Sequence, residues 1–186
     1  EPNRAMREAA EAALGDRPGV RSVAGTAEAT GLAEASVDLV VAAQAFHWFR
    51  VEETRAELAR ILRPPGWAAL IWNTRRTDST PFLRGYEALL ARWGTDYERV
   101  RHDRIDPEAI ARFFRGDARR ETFYNEQALD LEGIEGRLLS SSYTPAPGSP
   151  DREPMLQELG RLFETYREQG FVRIEYDAEL YIGRLA

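Results

Sequence analysis

Residues 37–49 have the sequence VDLVVAAQAFHWF, and this stretch decides the expected fold. Its segment 39–43 is apolar at every position, which is typical of a strand buried on both faces of a parallel sheet. A polar residue, Gln44, and an aromatic cluster with one histidine follow directly. Because open α/β sheets bind ligands at the carboxyl ends of their strands, we expect a ligand site at this end of the strand.

Length, charge and composition narrow the class of protein. A chain of 186 residues predicts a single domain, residues 1–186. The net charge of −6 argues against a nucleic-acid or anionic-membrane partner, because both need a basic face. The chain has no cysteine, which excludes disulfides and thiolate metal sites and is compatible with the cytoplasmic location that we expect.

The first half of the chain alternates helical and strand patterns. A helix is predicted at 1–14 with Pro2 in its first turn, a short strand at 20–23, and a turn at 25–28. A helix is predicted at 51–62, where Arg63-Pro64-Pro65-Gly66 ends it, and a second buried strand at 67–72. Strands joined by helical connections predict a parallel sheet with right-handed crossovers.

The second half is richer in helices and loops. The periodicity and turn residues predict helices at 81–93, from 106, at 131–143 and at 151–169, strands at 120–129 and 171–185, and loops at 97–104 and 144–150. The last strand could equally be a hairpin. Asp106-Pro107 is a favourable helix start, because Asp caps the helix and Pro suits its first turn. Ile110, Phe113 and Phe114 are expected to face inward.

Several segments together resemble the class I S-adenosylmethionine-dependent methyltransferases. The similarity is strongest to the small-molecule branch (methyltransferase type 11) that includes trans-aconitate methyltransferase-like and ubiquinone/menaquinone-biosynthesis-like enzymes. The segments that carry it follow the family's order: 1–6 (EPNRAM), 25–28 (GTAE), 35–40 (ASVDLV), 45–49 (AFHWF), 61–67 (ILRPPGW) and 129–143.

The resemblance implies a Rossmann-like α/β sheet that is mostly parallel, with an antiparallel C-terminal strand. The family's GxGxG loop, which follows its first strand, does not occur in this sequence. We therefore expect that the N-terminal strands are missing, that the intact gene product is longer, and that this chain alone binds cofactor poorly or not at all. The strand at Asp38 would then have an unpaired edge, which favours a homodimer.

The resemblance also implies S-adenosylmethionine as cofactor and five residues that contact it. Glu1 is implied to accept hydrogen bonds from both ribose hydroxyls, and the alternative is an acid favoured by a helix N-terminus. Thr26 and Ala27 occupy the positions of the family's adenine contacts, where an Asp is frequent in place of Thr26; the alternative is a plain turn. Ala43 and Gln44 lie where the family holds the methionine part, or are satisfied groups at a sheet edge.

His47 is the candidate catalytic residue, because its ordinary pKa of about 6.5 suits proton transfer or substrate binding near neutral pH. A packed structural histidine is the alternative. Trp48, Asn73, Arg137 and Tyr143 are candidate substrate contacts, and Arg137 suits a carboxylate through its planar guanidinium. Trp48 is otherwise a core residue, and surface positions are the alternative for Arg137 and Tyr143.

The implied reaction is methyl transfer to a small-molecule acceptor with a carboxylate or hydroxyl group. Proximity and alignment supply most of the catalysis in such a reaction, so no catalytic triad and no metal site are expected. Residues 74–119 and 131–150 are expected to form insertions that cover the substrate. Two alternatives stay open: an inactive methyltransferase-like module for binding or dimerisation, and a Rossmann-type oxidoreductase.

Overall fold

The computed structural model describes residues 1–15, 17–95, 97 and 106–185. Most of the predicted loop at 97–104 therefore lies outside the described residues. The chain divides into two compact units. Unit 1 consists of Glu1–Ile71, Asp106–Glu121 and Leu180–Ala186, and unit 2 consists of Trp72–Ile105 and Thr122–Glu179. The single domain with two lid insertions stays a prediction.

Four strands form the sheet of the described residues. They are β1 Val37–Ala43, β2 Leu62–Arg75, β3 Ala118–Leu129 and β4 Val172–Arg184, in the spatial order β1–β2–β4–β3. β1 and β2 are parallel, with Leu39 opposite Trp67 and Ala43 opposite Ile71. The helix between them is the crossover that a parallel pair requires.

β4 runs in the opposite direction to β2. In unit 1 the Leu185 N–H donates to the Gly66 carbonyl at 2.9 Å, and in unit 2 the Arg76 N–H donates to the Glu175 carbonyl at 2.8 Å. The partner numbers fall on β4 as they rise on β2, so this pair is antiparallel. The predicted α/β sheet, mostly parallel with an antiparallel C-terminal strand, is confirmed.

The helices follow the predicted pattern closely. Their bounds are α1 Arg4–Leu14, α2 Val51–Ile61, α3 Pro81–Trp93, α4 Pro107–Phe114, α5 Leu131–Leu139 and α6 Arg152–Tyr166. The side chains of Thr80, Asp106 and Asp130 each accept a backbone N–H from the first turn of the helix that follows. These caps satisfy donors that a helix start would otherwise leave unpaired, which fixes where α3, α4 and α5 begin.

Three boundary predictions need correction. α1 begins at Arg4 rather than at the first residue, because Asn3 caps it and leaves Pro2 outside the helix, and none of its residues is buried. Residues 20–23 form no strand, since no described strand pairs with them. β2 begins at Leu62, so the Pro-Pro-Gly segment lies in the first part of the strand instead of before it.

The prediction that β1 is buried on both faces is wrong. Ala42 is buried, but Leu39 is 48% and Val41 52% exposed. β1 stands at the end of the described strand order, with β2 as its described neighbour on one side. A strand at a sheet edge has fewer neighbours over its faces, whereas in β2 Ala68, Ala69 and Leu70 are buried as predicted.

Each unit has its own apolar packing. In unit 1, Phe46 meets Phe113 of α4 with ring centroids 5.0 Å apart, and Phe114 is buried beside it. In unit 2, α3 and α5 both pack against α6. The core of unit 2 consists of Phe82, Leu83, Tyr86, Leu89, Leu90, Tyr97, Ile134, Leu138, Met155, Leu159, Phe163, Val172, Ile174 and Tyr176. In the described part of the chain, no helix combines the length and the apolar character needed to cross a membrane.

Two glycines offer a matched test of this packing. A Cβ on Gly183, which is buried in β4, would collide with the Asp117 carbonyl oxygen and lie 2.7 Å from the Phe114 ring, whereas one on Gly160 in α6 would meet nothing within 4 Å. We expect Gly183→Ala to lower the free energy of unfolding by about 1–3 kcal/mol through overpacking. Gly160→Ala should raise it by about 0.5–1 kcal/mol through helix propensity. Urea unfolding measures both; equal effects would contradict the packing described here.

Candidate functional site

A cavity of about 420 Å³ lies entirely within unit 1. This volume is in the range of about 300–1,000 Å³ that small-molecule sites occupy. Aliphatic side chains and one aromatic ring make up most of its wall, with three polar groups among them. The lining residues are Glu1, Pro2, Val23, Gly25, Thr26, Ala27, Thr30, Leu32, Val40, Val41, Ala42, Ala43, Ala45, Phe49 and Leu58.

Four of the five residues predicted to contact the cofactor line this one cavity: Glu1, Thr26, Ala27 and Ala43. The fifth, Gln44, follows Ala43 directly at the end of β1. Glu1 accepts the Asn3 N–H through Oε1 at 2.8 Å. Its other carboxylate oxygen has no hydrogen-bond partner among the described residues, so it can accept from a ligand.

The cavity wall at Thr26 and Ala27 is a closed turn. Thr26 and Ala29 exchange backbone hydrogen bonds of 3.2 and 3.3 Å, and the Thr26 hydroxyl also accepts the Ala29 N–H at 3.1 Å. Glu28 joins this turn to the start of α2, because its Oε1 accepts the Arg50 N–H at 3.0 Å. That hydrogen bond lowers the pKa of Glu28. The predicted turn is confirmed, and the Thr26 hydroxyl serves the turn itself.

A half-buried carboxylate on α2, that of Glu57, holds the next part of the wall. The Glu57 Oε1 accepts both the backbone N–H of Thr30 at 2.9 Å and its hydroxyl at 2.5 Å. Arg60 donates to both oxygens of Glu57 at 2.8 Å and also to the Leu32 carbonyl at 2.8 Å. Hydrogen bonds from Arg60, followed by those from Thr30, lower the pKa of Glu57 to about 2. Two wall residues, Thr30 and Leu32, are thereby fixed to the helix.

The end of β1 has an unusual backbone. Gln44 adopts a positive φ of 53° in the left-handed region, which non-glycine residues rarely occupy. Its N–H donates to the Ile71 carbonyl at 2.9 Å, so the conformation is held by the pairing of β1 with β2. Such backbone outliers concentrate at ligand sites, and this one directly follows the cavity residue Ala43.

The aromatic segment after β1 divides into an inner and an outer pair. A 3₁₀ turn, Phe46–Trp48, places Phe46 and Phe49 inward with centroids 5.9 Å apart, and Phe49 lines the cavity. His47 and Trp48 point outward, with their rings 4.9 Å apart. Trp48 is 73% exposed, so its interpretation as a core residue is wrong. The three-residue period of the turn explains this, since it aligns positions 46 and 49.

The other candidate substrate contacts lie in unit 2. Asn73 accepts a hydrogen bond from the Asn125 side chain at 3.2 Å. Tyr143 packs edge-on against Tyr97 at 5.0 Å and adjoins the apolar core. Arg137 of α5 lies over a tyrosine ring and is half-buried. Their roles toward a substrate, like those of His47 and Trp48, stay predictions.

The sequence did not single out several residues that the cavity uses. Thr30, Leu32, Phe49 and Leu58 line it, and Glu57 supports it from behind. Thr30 and Glu57 are 27 positions apart, so no local pattern links them. The described residues contain no group of three or more acidic or histidine side chains that could hold a metal ion.

The lowered pKa of Glu57 allows its stabilising role to be tested by varying the pH. Its pKa is about 2 in the folded protein against an ordinary value of 4.5, so its stabilising contribution is complete above pH 4.5 and is lost as the pH falls toward 2. We expect Glu57→Gln to reduce the free energy of unfolding by about 1–2 kcal/mol at pH 7, with the difference shrinking below pH 4.5.

The matched control for Glu57 is Glu53→Gln on the same helix. Glu53 is 58% exposed and makes a 3.4 Å ion pair with Arg50, which predicts a change within about 0.5 kcal/mol. Denaturant unfolding of both variants at several pH values is the measurement. A pH-independent difference for Glu57→Gln would contradict the role described.

Comparisons with known proteins agree with this geometry. A family model described as "Methyltransferase domain" matches residues 1–70, which include the cavity. An uncharacterized methyltransferase of Schizosaccharomyces pombe is 30% identical over 86% of this chain and 63% of its own length. An uncharacterized methyltransferase of Mycobacterium tuberculosis is 32% identical over 80% of this chain and 58% of its own length. The chain therefore spans less than two thirds of these curated relatives.

A solved structure shows the same fold over the whole chain. A proposed type II methyltransferase from Anaeromyxobacter dehalogenans matches 100% of this chain and 78% of its own length, with a TM-score of 0.66 and 23% identity. This likeness supports the α/β fold described above. The chain is thus similar to methyltransferases, in residues 1–70 by the family model and over most of its length by these relatives.

Proposed function

We propose that the cavity of unit 1 binds the adenosyl part of S-adenosylmethionine and that the protein transfers the methyl group to a small-molecule acceptor. The acceptor carries a carboxylate or a hydroxyl. The proposal rests on one observation: Glu1, Thr26, Ala27 and Ala43 line the same cavity. They come from three separate stretches of the sequence, and the family resemblance implies the same ligand for all four.

The cavity residues fit the adenosyl group chemically. The apolar wall of Val23, Leu32 and Val40 suits a flat base, and the small side chains of Ala42 and Ala43 leave room beside the strand. The Glu1 carboxylate suits a pair of ribose hydroxyls, because a charged acceptor makes strong hydrogen bonds. Of the described residues, none with a basic side chain lines this cavity. The residues present therefore fit the nucleoside half of the cofactor better than its carboxylate end.

Bound at this site, the cofactor supplies an electrophilic methyl group on a sulfonium. The chain's own contribution is placement, since alignment of reactants accounts for much of the rate in such reactions. The turn at Thr26, fixed by Glu28, and the loop at Thr30, fixed by Glu57, form a wall that is ordered before a ligand arrives. Preorganisation lowers the entropic cost of binding.

Each unit has its own candidate acceptor contacts. In unit 1 these are His47 and Trp48, whose exposed rings follow β1, and His47 is the candidate to take a proton or bind the acceptor. In unit 2, Asn73, Arg137 and Tyr143 offer polar groups on β2, α5 and the loop after α5. An acceptor with a carboxylate nucleophile would need no base, whereas a hydroxyl acceptor would give His47 a role.

Filling the cavity tests the cofactor site. We expect Ala43→Trp to weaken binding of S-adenosylhomocysteine at least tenfold, because the indole would occupy space beside the strand end. Ala9→Trp on the exposed face of α1 is the control and should leave binding unchanged. Isothermal titration calorimetry on the complete gene product measures both, with this chain alone alongside. Unchanged affinity in Ala43→Trp, or no binding by the unmodified gene product, would contradict the proposal.

A further inference from the structure

Unit 2 contains a half-buried arginine, Arg137, for which the described residues supply no carboxylate partner. The Arg137 guanidinium lies 5.4 Å from the ring centroid of Tyr176, and its Nη1 makes a long, 3.4 Å hydrogen bond to the Gln127 Oε1. No acidic side chain of the described residues lies within ion-pair distance of it. A cation removed from water without a counter-ion is unfavourable, so this guanidinium favours an anion.

The Gln127 side chain beside Arg137 also has a hydrogen-bond donor to offer to a ligand. The Gln127 Oε1 already accepts the Tyr176 hydroxyl at 2.8 Å as well as Arg137. The amide nitrogen of Gln127 has no hydrogen-bond partner among the residues that the structure describes. Gln127 is exposed, so a small molecule from solvent can reach this side of the group.

A second arginine contributes an unpaired donor nearby. Arg75 is 13% exposed, and its Nη2 donates to the Glu87 carboxylate at 2.5 Å and to the Tyr97 hydroxyl at 2.9 Å. Its Nη1 is buried and has no hydrogen-bond partner within the part of the chain that the structure describes. Glu87 is shared between Arg75 and the Tyr97 hydroxyl, so it does not neutralise Arg137.

The positive charges of Arg75 and Arg137 both affect the same two tyrosines, Tyr86 and Tyr176. Burial raises the pKa of Tyr86 and of Tyr176, and the charges of both Arg137 and Arg75 oppose that shift at both hydroxyls. The Arg75 guanidinium also lies 5.2 Å from the Tyr86 ring centroid. We call Arg75, Tyr86, Gln127, Arg137 and Tyr176 the arginine–tyrosine cluster.

We propose that the arginine–tyrosine cluster binds the carboxylate of a small molecule, with Arg137 as its principal contact. The planar guanidinium matches the two oxygens of a carboxylate, and the Gln127 amide can donate to the same group. This binding is a property of unit 2 by itself and goes beyond the function proposed above. The carboxylate anchors the molecule to the cluster.

Another arginine of unit 2 provides a matched control. Arg92 also lies over an aromatic ring, with its guanidinium 4.7 Å from the Trp93 centroid. Unlike Arg137, it has a carboxylate partner, Glu158, at 3.4 Å. The two residues thus share the stacked arrangement and differ in the counter-ion, so only Arg137 should respond to an added anion.

The test is NMR titration of the ¹⁵N-labelled complete gene product with benzoate, and with benzamide as the uncharged analogue. We expect the Arg137 Nε–H signal to shift with benzoate and not with benzamide. Arg137→Gln should weaken benzoate binding at least tenfold and Arg137→Lys should weaken it less, while Arg92→Gln leaves it unchanged. Thermal unfolding of each variant checks that it is folded. Benzoate affinity that is equal in Arg137→Gln and the unmodified protein, or absent from both, would overturn the proposal.

Two further titrations distinguish a failure of the carboxylate site from a failure of the proposed methyltransferase function. Tighter binding of inorganic phosphate than of benzoate would assign the cluster to a phosphate group and contradict the carboxylate. S-adenosylhomocysteine is titrated into the same samples. Binding of S-adenosylhomocysteine without benzoate would overturn this site alone, whereas binding of benzoate without S-adenosylhomocysteine would support the anion site and overturn the methyltransferase function.

Discussion

The hydrogen bond from the Gln44 N–H to the Ile71 carbonyl, 2.9 Å long, continues the parallel pairing of β1 with β2 beyond the last residue of β1. This pairing brings the carboxyl ends of two strands to one edge and holds Gln44 in its left-handed conformation. Ala43 then faces the cavity, and the chain turns into the aromatic segment that supplies Phe49. Without the parallel register, neither the wall of the cavity nor the outward position of His47 would be defined.

Much of the fold could be predicted from local pattern alone. An amphipathic pattern located α3, Asp106 and Pro107 located α4, and continuous apolar runs located β1 and β2, because these signals act over short stretches of chain. Burial was less predictable. The sequence of β1 has the composition of a central strand, yet Leu39 and Val41 are half exposed, since burial depends on which elements cover a strand. Residues 20–23 likewise have strand-forming side chains and no described strand beside them.

Some residues of the candidate site could be predicted from the sequence, and others could not. Family resemblance pointed to Glu1, Thr26, Ala27 and Ala43, and the structure brings them into one cavity. It gave no indication of Glu57, whose partners at Thr30 lie 27 residues away, or of the buried Nη1 of Arg75, which no described residue accepts from. Such roles arise from long-range packing and hydrogen bonding, which leave no periodic mark on a sequence. Trp48 was misjudged as a core residue because large aromatic side chains are usually buried.

The most direct test of the account is a crystal structure of the complete gene product with S-adenosylhomocysteine. We predict electron density for the adenosyl group in the cavity between the Thr26 turn and Ala43, with the ribose hydroxyls within hydrogen-bond distance of the Glu1 carboxylate. Density for the nucleoside at another site, with this cavity filled only by solvent, would contradict the central claim.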